Sequence, residues 1–73
     1  MRTYYFDRKN GLPVRDKYGL EFATRLEAIN YSKGLAQQIR SKQKDGDSDL
    51  CVVVIDESGA EIHREQVYPE AHG

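Results

Sequence analysis

Residues 50–55 read LCVVVI, and the conduct of this run decides the fold. Six consecutive apolar residues, rich in β-branched side chains, favour a strand. A strand covered on one face alternates apolar with polar residues, whereas this one is apolar on both. Leu50, Val52 and Val54, together with Ile62, are expected to face a helix. Cys51, Val53 and Ile55 then point the other way, with His63, and Tyr5 joins them. One helix cannot cover both faces of a sheet. The second set is therefore expected to form a contiguous apolar patch of the kind that marks an interaction surface.

The flanks of the run raise a calcium question. In DGDSDLCVVVID, residues 45–56, Asp45, Asp47, Asp49 and Asp56 occupy positions one, three, five and twelve of an EF-hand loop. That loop also needs glycine at position six and helices on both sides, and Leu50 stands at six. At ~3.3 Å per residue the strand carries Asp56 about 20 Å from Leu50, too far to return to the same ion. The stretch reads as a helix-to-strand connector. Downstream, DESG (56–59) supplies a turn with Gly59 at positive φ, and EIHREQV returns as a second strand. Residues 69–73 read as a flexible tail, so the domain is expected to span 1–68.

Upstream lies a helix. Thr24 and Glu27 form the T-x-x-E capping box, in which the hydroxyl accepts an amide and the carboxylate reaches back. At about 100° per residue, Ala28, Ser32, Leu35, Ala36 and Ile39 share one side, flanked by Ile29 and Tyr31. Lys33, Arg40 and Lys44 share the far side, a basic face able to meet phosphates or an acidic protein. Gly46 is the expected C-cap. Before the helix, TYYFDRKNGLPVRD reads as a hairpin turning at Asn10-Gly11. The register that keeps one apolar face sets Val14 opposite Phe6, with Lys9-Asn10-Gly11 as the loop. DKYG (16–19) makes another turn, followed by a short extended LEF. The whole is an α+β domain in ββαββ order: one mainly antiparallel sheet of about four strands with a single amphipathic helix on one face.

At 38% hydrophobic and 32% charged, the 73 residues suit a globular chain with a small core. The single cysteine forms no internal disulfide, the opening residues do not read as a secretory signal, and no apolar run spans a bilayer, which together point to the cytoplasm. The net charge of −1 lacks the basic excess of most small nucleic-acid binders. Cys51, His63 and His72 show neither a C-x-x-C nor an H-x-x-x-H spacing, so no metal is expected. No glycine-rich phosphate loop or nucleophile–base pattern appears. Neither a catalytic residue nor a cofactor is assigned.

With YYFD, NGL, RDKYGLEF, LEA and DESGAEI placed, the chain resembles a family of short proteins abundant in alphaproteobacteria and catalogued as domain of unknown function 6894. Members share the aromatic first strand, a D-x-x-G-x-x-F turn, a helix opening on L-E-A and a closing hairpin at D-E-x-G. The resemblance implies the same layout and no catalytic residues. The YPEAHG end departs from the apolar strand on which the family tends to finish. A further similarity, over about the first forty residues, is to the sheet-and-helix domain of HicB-type antitoxins, which bind a toxin. The function expected is a non-catalytic protein-interaction or regulatory module, self-associating or binding a protein partner through Tyr5, Cys51, Val53, Ile55 and His63. The alternatives are a nucleic-acid contact through Lys33, Arg40 and Lys44, or antitoxin-like toxin binding.

Overall fold

A computed structural model of the chain describes residues 1–43, 46 and 48–68. The elements are β1 (Arg2–Lys9), β2 (Pro13–Val14), β3 (Leu20–Phe22), α1 (Arg25–Lys42), β4 (Cys51–Ile55) and β5 (Glu61–Gln66). Every pairing is antiparallel, in the order β2–β1–β4–β5. β3 lies on the same side of β1 as β2 but further along it, against Arg2–Tyr4. The domain is α+β with its helix packed on one face of the sheet, as the patterning predicts. The sheet has five strands rather than about four, because LEF pairs with β1. β4 sits between two neighbours, which is why its residues can be apolar on both sides.

The first hairpin differs in register from the expectation. Val14 pairs with Arg8 and Pro13 with Lys9, so the loop is Asn10-Gly11-Leu12, with Gly11 at φ 101°. A slide of two residues preserves the face, and Val14 still stands on the side of Phe6. Asp16 explains the slide. Its Oδ2 accepts the Phe6 amide at 3.2 Å, and its own amide donates to Asp7 Oδ1 at 2.9 Å. The chain thus leaves the ladder after Val14 and rejoins it at Leu20, with a carboxylate filling the gap.

In α1 the capping box forms as read: Glu27 N–H donates to Thr24 Oγ1, and Glu27 Oε1 accepts the Thr24 amide. Ala28, Ser32 and Ala36, four residues apart, are buried and let the helix approach Val52 and Val54 closely. Leu35 and Ile39 pack at the margin of this core, which also holds Tyr4, Phe6 and Val67. Phe6, Phe22 and Tyr31 meet tilted or edge to face, with centroids 4.9–6.0 Å apart. The C-cap is Gln43, whose amide donates to the Ile39 carbonyl, and not Gly46. Gly46 is small for another reason: a Cβ there would run into the Tyr68 ring, whose hydroxyl bonds the Gln43 carbonyl. The tail at 69–73, Lys44, Asp45 and Asp47 lie outside the described residues. Asp56 Oδ1 accepts the Ser58 amide and hydroxyl and the Ala60 amide, so it holds the β4–β5 turn.

Candidate binding surfaces

Strand register assigns each side chain of the expected interaction surface to a face. Tyr5 pairs with Ile55, which pairs with Glu61; Asp7 pairs with Val53, which pairs with Arg64; Lys9 pairs with Cys51, which pairs with Gln66. Tyr5, Cys51, Val53 and Ile55 therefore share the open face, opposite the helix. His63 does not. A bulge opposite Val54/Ile55 inserts Ile62, so His63 pairs with Val54 on the helix side, where its Nε2 lies 2.9 Å from Glu65 Oε1. The same irregularity brings Glu61 and Arg64, three apart, to one face. Arg64 Nε and Nη2 donate to the two carboxylate oxygens at 3.2 and 3.0 Å. That hydrogen bond is the main cause holding the Glu61 carboxyl below its ordinary value and Arg64 above its own.

The expected apolar patch is mostly absent from the surface. Val53 is 4% exposed and Cys51 7%, and only Ile55 and Tyr5 remain half-buried. No element among the described residues forms a second layer over them. They are closed in from the sides by the neighbouring strands, whose Asp7, Lys9, Arg64 and Gln66 flank them in register. Long charged side chains cover apolar surface with their stems while keeping their heads in water. The Cys51 thiol leans on the Lys9 carbonyl at 3.5 Å. A hollow of about 340 Å³ remains over Val53 and Ile55, and its rim carries both signs of charge in Asp7, Lys9, Arg15 and Glu61.

The basic helix face is also reduced. Arg40 Nη1 donates to the Val67 carbonyl at 2.8 Å, tying the end of β5 to α1, and the residue is half-buried. Lys33 is exposed.

Exposed apolar surface has instead collected on the side of β2, β3 and the first half of α1. Val14 is 66% exposed, Leu20 43% and Tyr31 41%, and they stand around a hollow of about 350 Å³ that also reaches Phe6 and Leu35. Register places Val14, Leu20 and Phe6 all on the helix side of the sheet. Residue patterning alone does not reveal this surface, because it depends on the pairing of LEF with β1. Its signal was present in the alternation of Tyr4, Phe6 and Leu20, once β3 is paired to β1.

The polar groups with shifted protonation serve local structure. Burial pushes the Asp16 carboxyl up, but hydrogen bonds from the amides of Tyr18, Gly19 and Phe6 together outweigh it and leave it lowered. Asp56 is lowered first by the Ser58 hydroxyl and then by the Ala60 amide. Among the described residues no three His, Cys, Asp or Glu side chains group to hold a metal ion. No helix among them is long and apolar enough to cross a membrane.

These features define a class: a small α+β domain, sheet below and one helix above, in which Asp16, Glu27 and Asp56 hold turns and the helix start. The chain belongs to the family described as Domain of unknown function (DUF6894), which matches residues 3–67. No curated protein and no solved structure matches it. The D-x-x-G-x-x-F signature has a physical meaning in this fold. Asp16 fills the gap in the sheet edge, and Phe22 enters the aromatic cluster. Gly19, at φ 71°, passes so close to β1 that a Cβ would lie 2.9 Å from the Tyr4 carbonyl oxygen.

Proposed function

We propose that the chain is a non-catalytic protein-interaction module of the cytoplasm, and that it docks a protein partner or a second copy on its β2/β3 side. The observation that carries this reading is the gathering of exposed Val14, Leu20 and Tyr31 around one hollow. Exposed apolar side chains that adjoin one another are kept where something covers them. The open face supports the reading less well, since Cys51 and Val53 are closed in by their own neighbours. A toxin would be one special case of such a partner. Binding of nucleic acid finds less support, because Arg40 is occupied by Val67.

The test pairs sedimentation velocity over a concentration range with affinity capture from the native cells. Three forms are compared: wild type, Val14→Asp with Leu20→Asp, and Ile55→Asp, each checked for a folded circular-dichroism spectrum. The reading expects the first double variant alone to lose the dimer or the captured protein. Loss confined to Ile55→Asp would return the surface to the open face. A monomer whose captures are indifferent to both faces would reject the module.

A further inference from the structure

The hollow beside Val14 is one end of a longer groove. A second hollow of about 230 Å³ continues it along α1 towards Gln43, and the two share Arg8 and Leu35. On the helix the wall is Tyr31, Leu35, Ile39 and Lys42, a stripe at spacings of four, four and three. Eleven residues at 1.5 Å each make it ~16 Å long. An extended chain of about five residues covers that length.

Cations outnumber carboxylates along the groove. Arg8, Arg15 and Lys42 line it, and among the described residues none of the three has a carboxylate within ion-pair distance. Its one acidic member, Asp16, already accepts the amides of Phe6, Tyr18 and Gly19. Three cations with no ion-pair partner among the described residues therefore surround an apolar floor of Phe6, Leu35 and Ile39. A chain of net charge −1 has carboxylates to spare, but of the described ones only Asp16 lines this groove.

We propose that this groove binds an extended segment of a partner protein in which apolar side chains alternate with acidic ones. The inference rests on the interaction-module reading and adds the chemistry of the occupant. Alternation suits the geometry, because successive side chains of an extended segment point in opposite directions. Apolar residues descend between Val14 and Tyr31, and carboxylates reach the guanidinium and ammonium groups on the rim. Exposed rim charges set specificity and encounter rate more than raw affinity, so binding weakens as salt rises.

The experiment titrates the ¹⁵N-labelled full chain with two blocked peptides of about eight residues, one alternating leucine with glutamate and one alternating leucine with lysine. The expected result is saturable shifts at the amides of Val14, Leu20 and Leu35 with the glutamate peptide alone. These fade at high salt, and Arg8→Glu with Arg15→Glu weakens the affinity about tenfold. Arg15→Gln, outside every strand, gives the same direction without a folding effect. The proposal is overturned if the lysine peptide binds as well, if the shifts fall on Tyr5 and Ile55, or if no saturable shift appears by millimolar peptide. It is also overturned if the chain alone shows these shifts on concentration, which would make a second copy the occupant. In each of these cases the Val14→Asp, Leu20→Asp capture test can still succeed, so the two readings fail separately.

Discussion

Replacing Asp16 tests the device that holds the first half of the sheet together. One carboxylate accepts three backbone amides: Phe6 at 3.2 Å on Oδ2, and Tyr18 and Gly19 at 3.0 and 3.2 Å on Oδ1. A hydrogen bond to a charged acceptor contributes about 1.5–3 kcal/mol where water is excluded. Here the Tyr18 amide is exposed and water replaces most of its loss, whereas the Phe6 bond is half-buried against the edge of β1. Asp16→Ala should therefore cost about 2 kcal/mol, and Asp16→Asn, which keeps a carbonyl but loses the charge, about 1 kcal/mol. For a domain of this size 2 kcal/mol lowers Tm by roughly 8–16 °C. Thermal melts followed by circular dichroism and urea titrations at constant slope both read the difference. The pH dependence supplies a second check. The folded carboxyl is held below its ordinary value, so its contribution is complete above about pH 4 and drains away as pH falls through the lowered folded value. The gap between wild type and Asp16→Asn should narrow over that window. A Tm change within about 2 °C for the alanine variant, or a gap that stays constant down to pH 3, would refute the role assigned to Asp16.

Three other substitutions have definite expectations. Val53→Asp places a carboxylate at a position only 4% exposed and should destabilise by about 2–4 kcal/mol, read as a lower urea midpoint; an unchanged midpoint would mean the open face is accessible after all. Gly19→Ala forces a side chain to adopt φ 71° with its Cβ 2.7 Å from Thr3 Cγ2, and should cost about 1–3 kcal/mol by thermal melt. Arg40→Met removes the donor to the Val67 carbonyl and should cost about 1–2 kcal/mol. It should also accelerate hydrogen exchange at the Val67 amide, which donates to the Leu50 carbonyl.

Local chemistry made much of the fold readable from the residues, and longer-range pairing concealed the rest. The capping box at Thr24 and Glu27 and the buried stripe of Ala28, Ser32 and Ala36 depend on spacing within one helix, and both formed as read. Gly11, Gly19 and Gly59 adopt positive φ because the turns around them demand it. The register of the first hairpin slipped by two because a side chain, Asp16, competes for the Phe6 amide, and no alternation rule contains that bond. A single inserted residue, Ile62, reversed the face of His63. For the candidate site, the sharing of one face by Tyr5, Cys51, Val53 and Ile55 was legible, but their concealment was not. Counting helices as the only possible cover omits the stems of Lys9 and Arg64. Arg40 likewise belongs to the basic face by periodicity alone, and its bond to Val67 spans 27 residues.

The two edges of the sheet limit how this molecule can meet a partner. β5 carries Glu61, Arg64, Glu65 and Gln66 together with a bulge, the devices by which natural sheets discourage a further strand. On the other side, the outer edge of β1 is occupied in pieces: two residues of β2, three of β3, and Asp16 at the Phe6 amide between them. Strand addition relies on a run of free backbone groups, and β1 has been relieved of its run. Among the described residues, what remains without a counterpart is side-chain surface, apolar at Val14, Leu20 and Tyr31 and cationic at Arg8, Arg15 and Lys42. Recognition on the proposed reading is therefore by side-chain chemistry in the groove, and a substitution at Leu20 should weaken it more than a backbone change anywhere along β5. N-methylated probe peptides separate the two modes: blocking the amides of the alternating leucine–glutamate peptide leaves groove binding within about threefold, whereas strand addition would be abolished.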